Sequence, residues 1–354
     1  MDDKRLSSID EQGRRLAAAF ARAEAQAPSR FPARRVLVPA LAALAGVAVL
    51  VGIGRGGGSA LSLDEAVSAV AKAAFDQPAL PEGSYLHSAS LMTSSGAGGA
   101  RLKNRKHVWI HSNFTMRTET WTRIGRPVLQ RTTNYPQKPI GPEDRKNIKL
   151  LGYDIFVNET YSCVTRTRKP ATRHAVGMSG IFVPDAKLTE VPSDAKAAYR
   201  YLFERVGGAT AAESAARVWG AVIYGLMNPG VGIAPKQRAA LAGAIAYVPG
   251  VKVLAAESDP NGNPTIGFSR DGNGLHSVAY FDRETSQTTW ARDTVVDSSK
   301  LNDGRTVLPP GSTFWAWQLK AYEFVAAPPE FEDVKVIDEA HEAGLCAPPV
   351  AKRR

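Results

Sequence analysis

Residues 36–54, VLVPALAALAGVAVLVGIG, form a run of 19 with no charge and no strong polar group. No other feature restricts this chain as tightly. A helix rising about 1.5 Å per residue carries such a run across roughly 28 Å, close to a ~30 Å hydrocarbon core. A buried helix of a globular core usually keeps a polar stripe, and this run has none. Pro39 lies near its start, where a missing N–H does least damage. The run predicts a single transmembrane helix over 36–54.

Charge predicts its direction. The first 35 residues hold eight Lys or Arg against five Asp or Glu, with Arg30, Arg34 and Arg35 as anchors at the membrane edge. Only Arg55 follows before the glycines of the 55–60 linker. Positive-inside bias places a basic tail, 1–35, in the cytoplasm and exports the rest, from a plasma-membrane anchor. The exported part divides into a domain over 61–345 and a tail over 346–354. The alternative is a cleaved secretory signal with Gly58-Ser59-Ala60 as a weak cleavage site, which exports the same domain. Residues 6–26 suit a helix rich in Ala, Leu, Glu and Arg, either merely solvated or docking a cytoplasmic partner. The tail has no His or Cys, which excludes a zinc-binding module there.

With 44% hydrophobic and 22% charged residues in 354, the remainder can bury a large core. A helix is expected over 61–75, its apolar side carried by Leu63, Val67, Val70 and Ala74. From about 83 the period changes to two. Strands fit 84–92, 105–112, 116–124, 127–133 and 154–161; in the third, Met116, Thr118, Thr120, Thr122 and Ile124 share one face and Arg117, Glu119, Trp121 and Arg123 the other. The middle is helical: one helix opening at Ser193 as N-cap, a second over 211–227, a third starting with Pro235. Strands return after 250, separated by turns at Asp259–Gly262, Asp271–Gly274 and Asp282–Thr285, whose Gly, Asn and Asp supply positive φ. A last strand near 312–325 puts Trp315, Trp317 and Leu319 on one face. The fold class is α+β: a large twisted antiparallel sheet packed by several helices.

The chemistry is sparse. Two cysteines, Cys163 and Cys346, exclude a multi-cysteine metal centre and allow at most one disulfide, in an oxidising compartment. That bridge would close more than 180 residues and add up to about 5 kcal/mol by chain entropy. His107 and His111 share a strand face about 13 Å apart, too far for one ion. Ser193-Asp-Ala-Lys196 matches SxxK without its partner motifs. The glycines at 52–57 end an apolar span and do not open a helix after a strand. No cofactor, metal or catalytic residue is indicated, and an enzyme is not expected. Residues 101–174 hold 16 Lys or Arg against 5 Asp or Glu, while 323–342 hold seven acids and one Lys. Arg101, Lys103, Arg105, Lys106, Arg117 and Arg123 form a candidate anionic-ligand surface. Outside a cell its partners are lipid head groups or wall polymers, not nucleic acid. The strand tryptophans read first as core, or as the lining of a lipid pocket on an incompletely filled sheet.

The segments RFPARR, GSYLHSASL, LTEVPSDAKAAYRYL and APKQRAALAGAIAYVPGVKVLAAESDPNGNPTIGFSRDG, followed by AYFDRETSQTTWARDTVV, resemble an actinobacterial family of single-pass membrane proteins often encoded beside extracytoplasmic-function sigma factors. The resemblance covers nearly the whole chain. It implies an envelope-sensing or sigma-linked accessory protein, touching a sigma factor or regulator through residues 1–30, and defines no catalytic residues. The outer domain is also similar in plan, by architecture alone, to LolA/RseB-type folds. The expected function is a membrane-anchored envelope protein with an extracytoplasmic binding or sensing domain. The alternatives are a lipid or lipoprotein carrier and an extracytoplasmic enzyme of unrecognised type.

Overall fold

Ser62 and Glu65 start the first helix by exchanging caps: the Ser62 N–H donates to Glu65 Oε2 at 2.9 Å and the Glu65 N–H to Ser62 Oγ at 3.3 Å. This helix, α1 (Leu63–Asp76), buries the expected stripe of Val67, Val70 and Ala74. The computed structural model describes residues 61–78, 80–101, 107–151, 159–171, 188–208, 210–227, 233–255, 258–300 and 308–338. The expected tail helix, transmembrane span and linker, together with Arg30, Arg34, Arg35 and Cys346, lie outside them. No described helix is long and apolar enough to cross a membrane.

After α1 come β1 (Tyr85–Arg101), β2 (His107–Thr122), β3 (Pro127–Asn134), β4 (Lys138–Pro139), α2 (Pro142–Leu151) and β5 (Tyr161–Pro170). Then follow α3 (Ala195–Val206), α4 (Ala211–Met227), α5 (Pro235–Gly243), β6 (Val251–Val253), β7 (Thr265–Gly272), β8 (Leu275–Asp282), β9 (Thr288–Val295), β10 (Thr313–Val325) and β11 (Val334–Ile337). The strands expected at 105–112 and 116–124 are one strand, β2. The strand expected at 154–161 falls mostly outside the described residues; the one that pairs with β3 is β5. Asp194, not Ser193, caps α3, accepting from the Ala197 N–H at 2.8 Å. A carboxylate reaches that donor one residue closer to the helix than the expected hydroxyl.

All eleven strands among the described residues join one sheet, in the order β11-β5-β3-β2-β1-β10-β9-β8-β7-β6, with β4 against β2. Neighbours are antiparallel except β5 and β11, which run parallel, so the sheet is mixed. β10 lies between β1 and β9 and fuses two meanders into one surface. The tight β7–β8 turn takes Asn273 at φ 51 and Gly274 at φ 76, as its Asn-Gly sequence predicts.

Helices α1, α3, α4 and α5 pack on one face. Their buried side chains share a core with Ile266, Phe268, Ala279, Phe281, Ala291 and Trp317 of the sheet. Packing is close: a Cβ on Gly225 of α4 would lie 2.5 Å from Leu241 Cδ2 of α5, so α4 needs glycine there. Arg238 of α5 is buried and donates to the carbonyls of Ala74, Gln77 and Ile233, each at 3.0 Å. Two of these belong to the end of α1, where backbone carbonyls lack partners and a cation is favoured. Helix α2 docks separately on β2. Asp144 accepts from the Gly141 N–H at 3.0 Å and from the His111 N–H at 2.7 Å, and its Oδ1 lies 2.9 Å from His111 Nδ1.

Candidate functional site

In an antiparallel sheet, residues directly opposite each other point to the same side. Ala279 and Ala291 face the helices, so their neighbours in sequence, Tyr280, Trp290 and Arg292, face away. Register carries that second face across the sheet. One row runs Arg117 (β2), Leu91 (β1), Gln318 (β10), Trp290 (β9), Tyr280 (β8). The next runs Thr115, Thr93, Ala316, Arg292, Val278 in the same strand order. Strands lie about 4.8 Å apart, so Arg117 and Trp290 stand roughly 14 Å from each other.

Between these rows lies a shallow cleft of about 230 Å3, lined by Leu91, Thr93, Trp290, Arg292, Ala316 and Gln318, with Thr313 and Trp317 at its edge. Its aromatic wall is fixed from behind. Tyr280 meets Trp290 edge to face at 5.7 Å. It lies so close over Gly267 that a Cβ there would come within 2.8 Å of the ring. At the rim, Gln318 is hydrogen-bonded to Asn261, on the hairpin that Asp259 organises. Asp259 accepts from the Asn261 N–H at 2.8 Å, the Asn263 N–H at 3.0 Å and Asn263 Nδ2 at 2.8 Å. Burial alone would raise its pKa, but these donors outweigh it and hold the carboxyl below its ordinary range.

The cations beside the cleft are unevenly matched. Arg292 has no carboxylate or acceptor among the described residues, and its Nε is buried without a partner. Lys320 follows Gln318 on β10 and forms no ion pair among the described residues. Loss of hydration and the neighbouring Arg117 charge pull its ammonium below the ordinary lysine range. Arg117 is partly neutralised by Glu119, 3.2 Å away.

Glu119 anchors a second cluster on the same face. It is buried, 4% exposed, and accepts from Arg131 Nε at 2.7 Å. The Arg131 guanidinium lies 5.9 Å from the Trp121 ring and 5.6 Å from Phe331. His87 stacks on Trp121 at 4.8 Å with the planes 9° apart, and its Nδ1 is 2.9 Å from Glu323 Oε1. Phe331 and Val334 of the chain after β10 pack with Trp121, Leu129 and Val164. The acidic C-terminal segment is thereby laid across the basic strands, with Arg168 and Asp338 also paired at 3.4 Å. Two buried nitrogens of this cluster, His87 Nε2 and Arg117 Nε, lack a hydrogen-bond partner among the described residues, as Arg292 Nε does in the cleft; what distinguishes the cleft is that no carboxylate among the described residues pairs with Arg292.

The six residues expected to form an anionic surface are not gathered into one site. Arg101 pairs with His107 at the far end of the β1–β2 hairpin, and Arg123 stands beyond the other end of β2, about 50 Å away by strand rise. Arg123 donates to the Gly83 carbonyl at 2.7 Å and lies over Tyr85. Lys103, Arg105 and Lys106 lie outside the described residues, and only Arg117 borders the cleft. Arg292, Lys320 and Gln318 were missed, and Trp290 entered only among the strand tryptophans read as core or as the lining of a lipid pocket. Alternation in QTTWARDTVV does place Trp290 and Arg292 on one face. Nothing in the sequence brings them to β10 and β1. Cys163 on β5 is disulfide-bonded, and Cys346 is the only other cysteine in the chain.

No known family model matches this chain, and no curated protein matches it; neither comparison supplies the single-pass family that the sequence segments resemble. Among solved structures, the chain is similar to a LolA superfamily protein from Nitrosomonas europaea, at 7% identity and a TM-score of 0.16, over 74% of this chain and 94% of that one. The strand order itself defines the class: an α+β protein with one large mixed sheet, packed by helices on one face over β6–β10 and crossed on the other, over β2, β3 and β5, by the chain after β10.

Proposed function

We propose that this chain is a single-pass, membrane-anchored envelope protein whose outer domain binds an anionic envelope component on the helix-free face of its sheet. The observation that carries this reading is the cleft, where Arg292 stands beside a half-buried tryptophan, with Lys320 past Gln318 on β10 and neither paired with a counter-ion among the described residues. An unpaired guanidinium with a buried donor suits a ligand that brings its own negative charge. The apolar run 36–54 and the charge before it support the anchor and its direction. The bonded Cys163 fits an oxidising compartment.

A carrier with a lipid chamber between sheet and helices has less support. Over β7–β10 that space is filled by Phe268, Phe281, Ile266, Trp317 and the helix side chains packed on them. A sigma-linked role for residues 1–30 remains part of the proposal. Two fusions to the C-terminus test the topology: alkaline phosphatase is expected to be active and green fluorescent protein dark. Fluorescence with an inactive phosphatase refutes the exported domain. For signalling, deletion of residues 1–30 is expected to change transcription of envelope-stress genes, and unchanged transcription removes that half.

A further inference from the structure

The shape of the cleft limits what its ligand can be. At about 230 Å3 and open to solvent, it lies below the roughly 300–1,000 Å3 of pockets that enclose drug-sized ligands. One ring fits; an acyl chain with its head group does not. Its apolar lining is Leu91, Ala316, the edge residue Trp317 and the Trp290 ring, which Tyr280 holds in place. The remaining lining is amide, hydroxyl and guanidinium: Gln318, Thr93 and Arg292. A saccharide has this mixture. The C–H face of a sugar ring is apolar and lies flat on an indole, while its rim of hydroxyls seeks donors and acceptors. Arg292, two residues from Trp290 on the same strand face, stands about 7 Å along the strand. Its planar fork matches a carboxylate or phosphate on that ring.

Among the described residues, the neighbouring acids do not compete for Arg292. Glu119 is held by Arg131 and Arg117. Asp259, on the hairpin that bonds Gln318, is engaged by Asn261 and Asn263. Asp293, next to Arg292 in sequence, points to the helix face opposite Ser277.

We infer that this cleft is a subsite for an acidic saccharide: a sugar ring stacks on Trp290 and its carboxylate or phosphate is taken by Arg292. This rests on the anion-binding reading above and names the ligand class. The sheet continues past Arg117 on one side and His276 on the other, so a polymer of such units can run across the strands.

The test uses the full chain in detergent micelles, titrated calorimetrically with four probes: oligogalacturonate, glucose 6-phosphate, inorganic phosphate, and phosphatidylglycerol in nanodiscs. Maltooligosaccharide is the neutral control. One or both acidic sugars are expected to bind, which decides between carboxylate and phosphate, and maltooligosaccharide to bind weakly or not at all. Arg292→Gln should weaken acidic-sugar binding about tenfold to a hundredfold, as loss of a charged hydrogen bond does, and Arg292→Lys by less. Trp290→Ala should weaken the sugars without changing binding of inorganic phosphate. Near-UV circular dichroism and the melting temperature establish that each variant is folded; if Trp290→Ala is not, Gln318→Ala serves in its place. Arg292-dependent binding of inorganic phosphate or phosphatidylglycerol, with no acidic sugar bound, overturns the saccharide while the anion-binding reading stands. No anionic probe bound, or affinity unchanged in Arg292→Gln, overturns both.

Discussion

Asp293→Asn is expected to stabilise this protein at neutral and alkaline pH and to do little near pH 4. Asp293 lies on the helix face of β9, opposite Ser277. Burial pushes its carboxyl up to about 6; the Ser277 hydroxyl and the His276 charge pull the other way and lose. In the unfolded chain an aspartate titrates near 3.9. The folded state therefore holds the proton more tightly than the unfolded state between about pH 4 and pH 6. Stability falls as pH rises through that window, and the loss is complete above about 6. At 1.36 kcal/mol per pH unit, a gap of about two units is worth about 3 kcal/mol, an upper figure because the residue keeps part of its surface in water. Asparagine cannot ionise and still offers an oxygen to Ser277, so it removes the penalty without opening a hole. Urea unfolding of the full chain in micelles, followed by tryptophan fluorescence at pH 4 and pH 8, reads the effect. With a slope of about 3 kcal/mol/M, the midpoint at pH 8 should rise by up to about 1 M. A variant that gains as much at pH 4 as at pH 8, or that loses stability at pH 8, would show that Asp293 is not a strained carboxylate.

Three further changes probe the frame around the cleft. Glu119→Ala strips the counter-charge from Arg131 and Arg117; since both arginines reach water, the expected loss is about 1–3 kcal/mol in the same urea assay, and Glu119→Gln, which keeps an acceptor, should lose less. Asp144→Ala removes the cap of α2 and its tie to His111, costing about 1–3 kcal/mol and speeding hydrogen exchange over 142–151 before the rest of the sheet. Gly225→Ala drives a methyl into Leu241 and should lower stability by about 1–3 kcal/mol; an unchanged melting temperature would mean that α4 and α5 are not packed this tightly.

Local chemistry made much of this molecule readable. The 3.6-residue stripe of α1, the 211–227 helix, the Asn-Gly turns and the alternation within β2 each reflect neighbours in sequence. What was not readable is what distant residues do to one another. Arg117, Glu119 and Trp121 were rightly placed on one face, but the wetter face of an exposed strand suggests solvation; instead Phe331 and Arg131 cover it and bury Glu119. The insertion of β10 between β1 and β9 leaves no local trace, because any strand with Trp315, Trp317 and Leu319 on one side could sit at several places in a sheet. The cleft depends on that insertion: Trp290 and Arg292 acquire Gln318, Leu91 and Thr93 as neighbours only through pairings of which the longer span more than two hundred residues. The short α2 was not foreseen, since its sequence has little apolar face and it is held by one buried carboxylate.

The place of β10 also sets a timetable. A ribosome delivers β1 more than two hundred residues before the strand that becomes its neighbour, and β9 waits beside the same gap. Until the last tenth of the chain emerges, both strands offer bare backbone to any passing edge. The centre of this sheet is thus closed late, by a keystone dropped between two nearly finished halves, and a nascent chain stalled short of residue 313 has two raw seams and no middle.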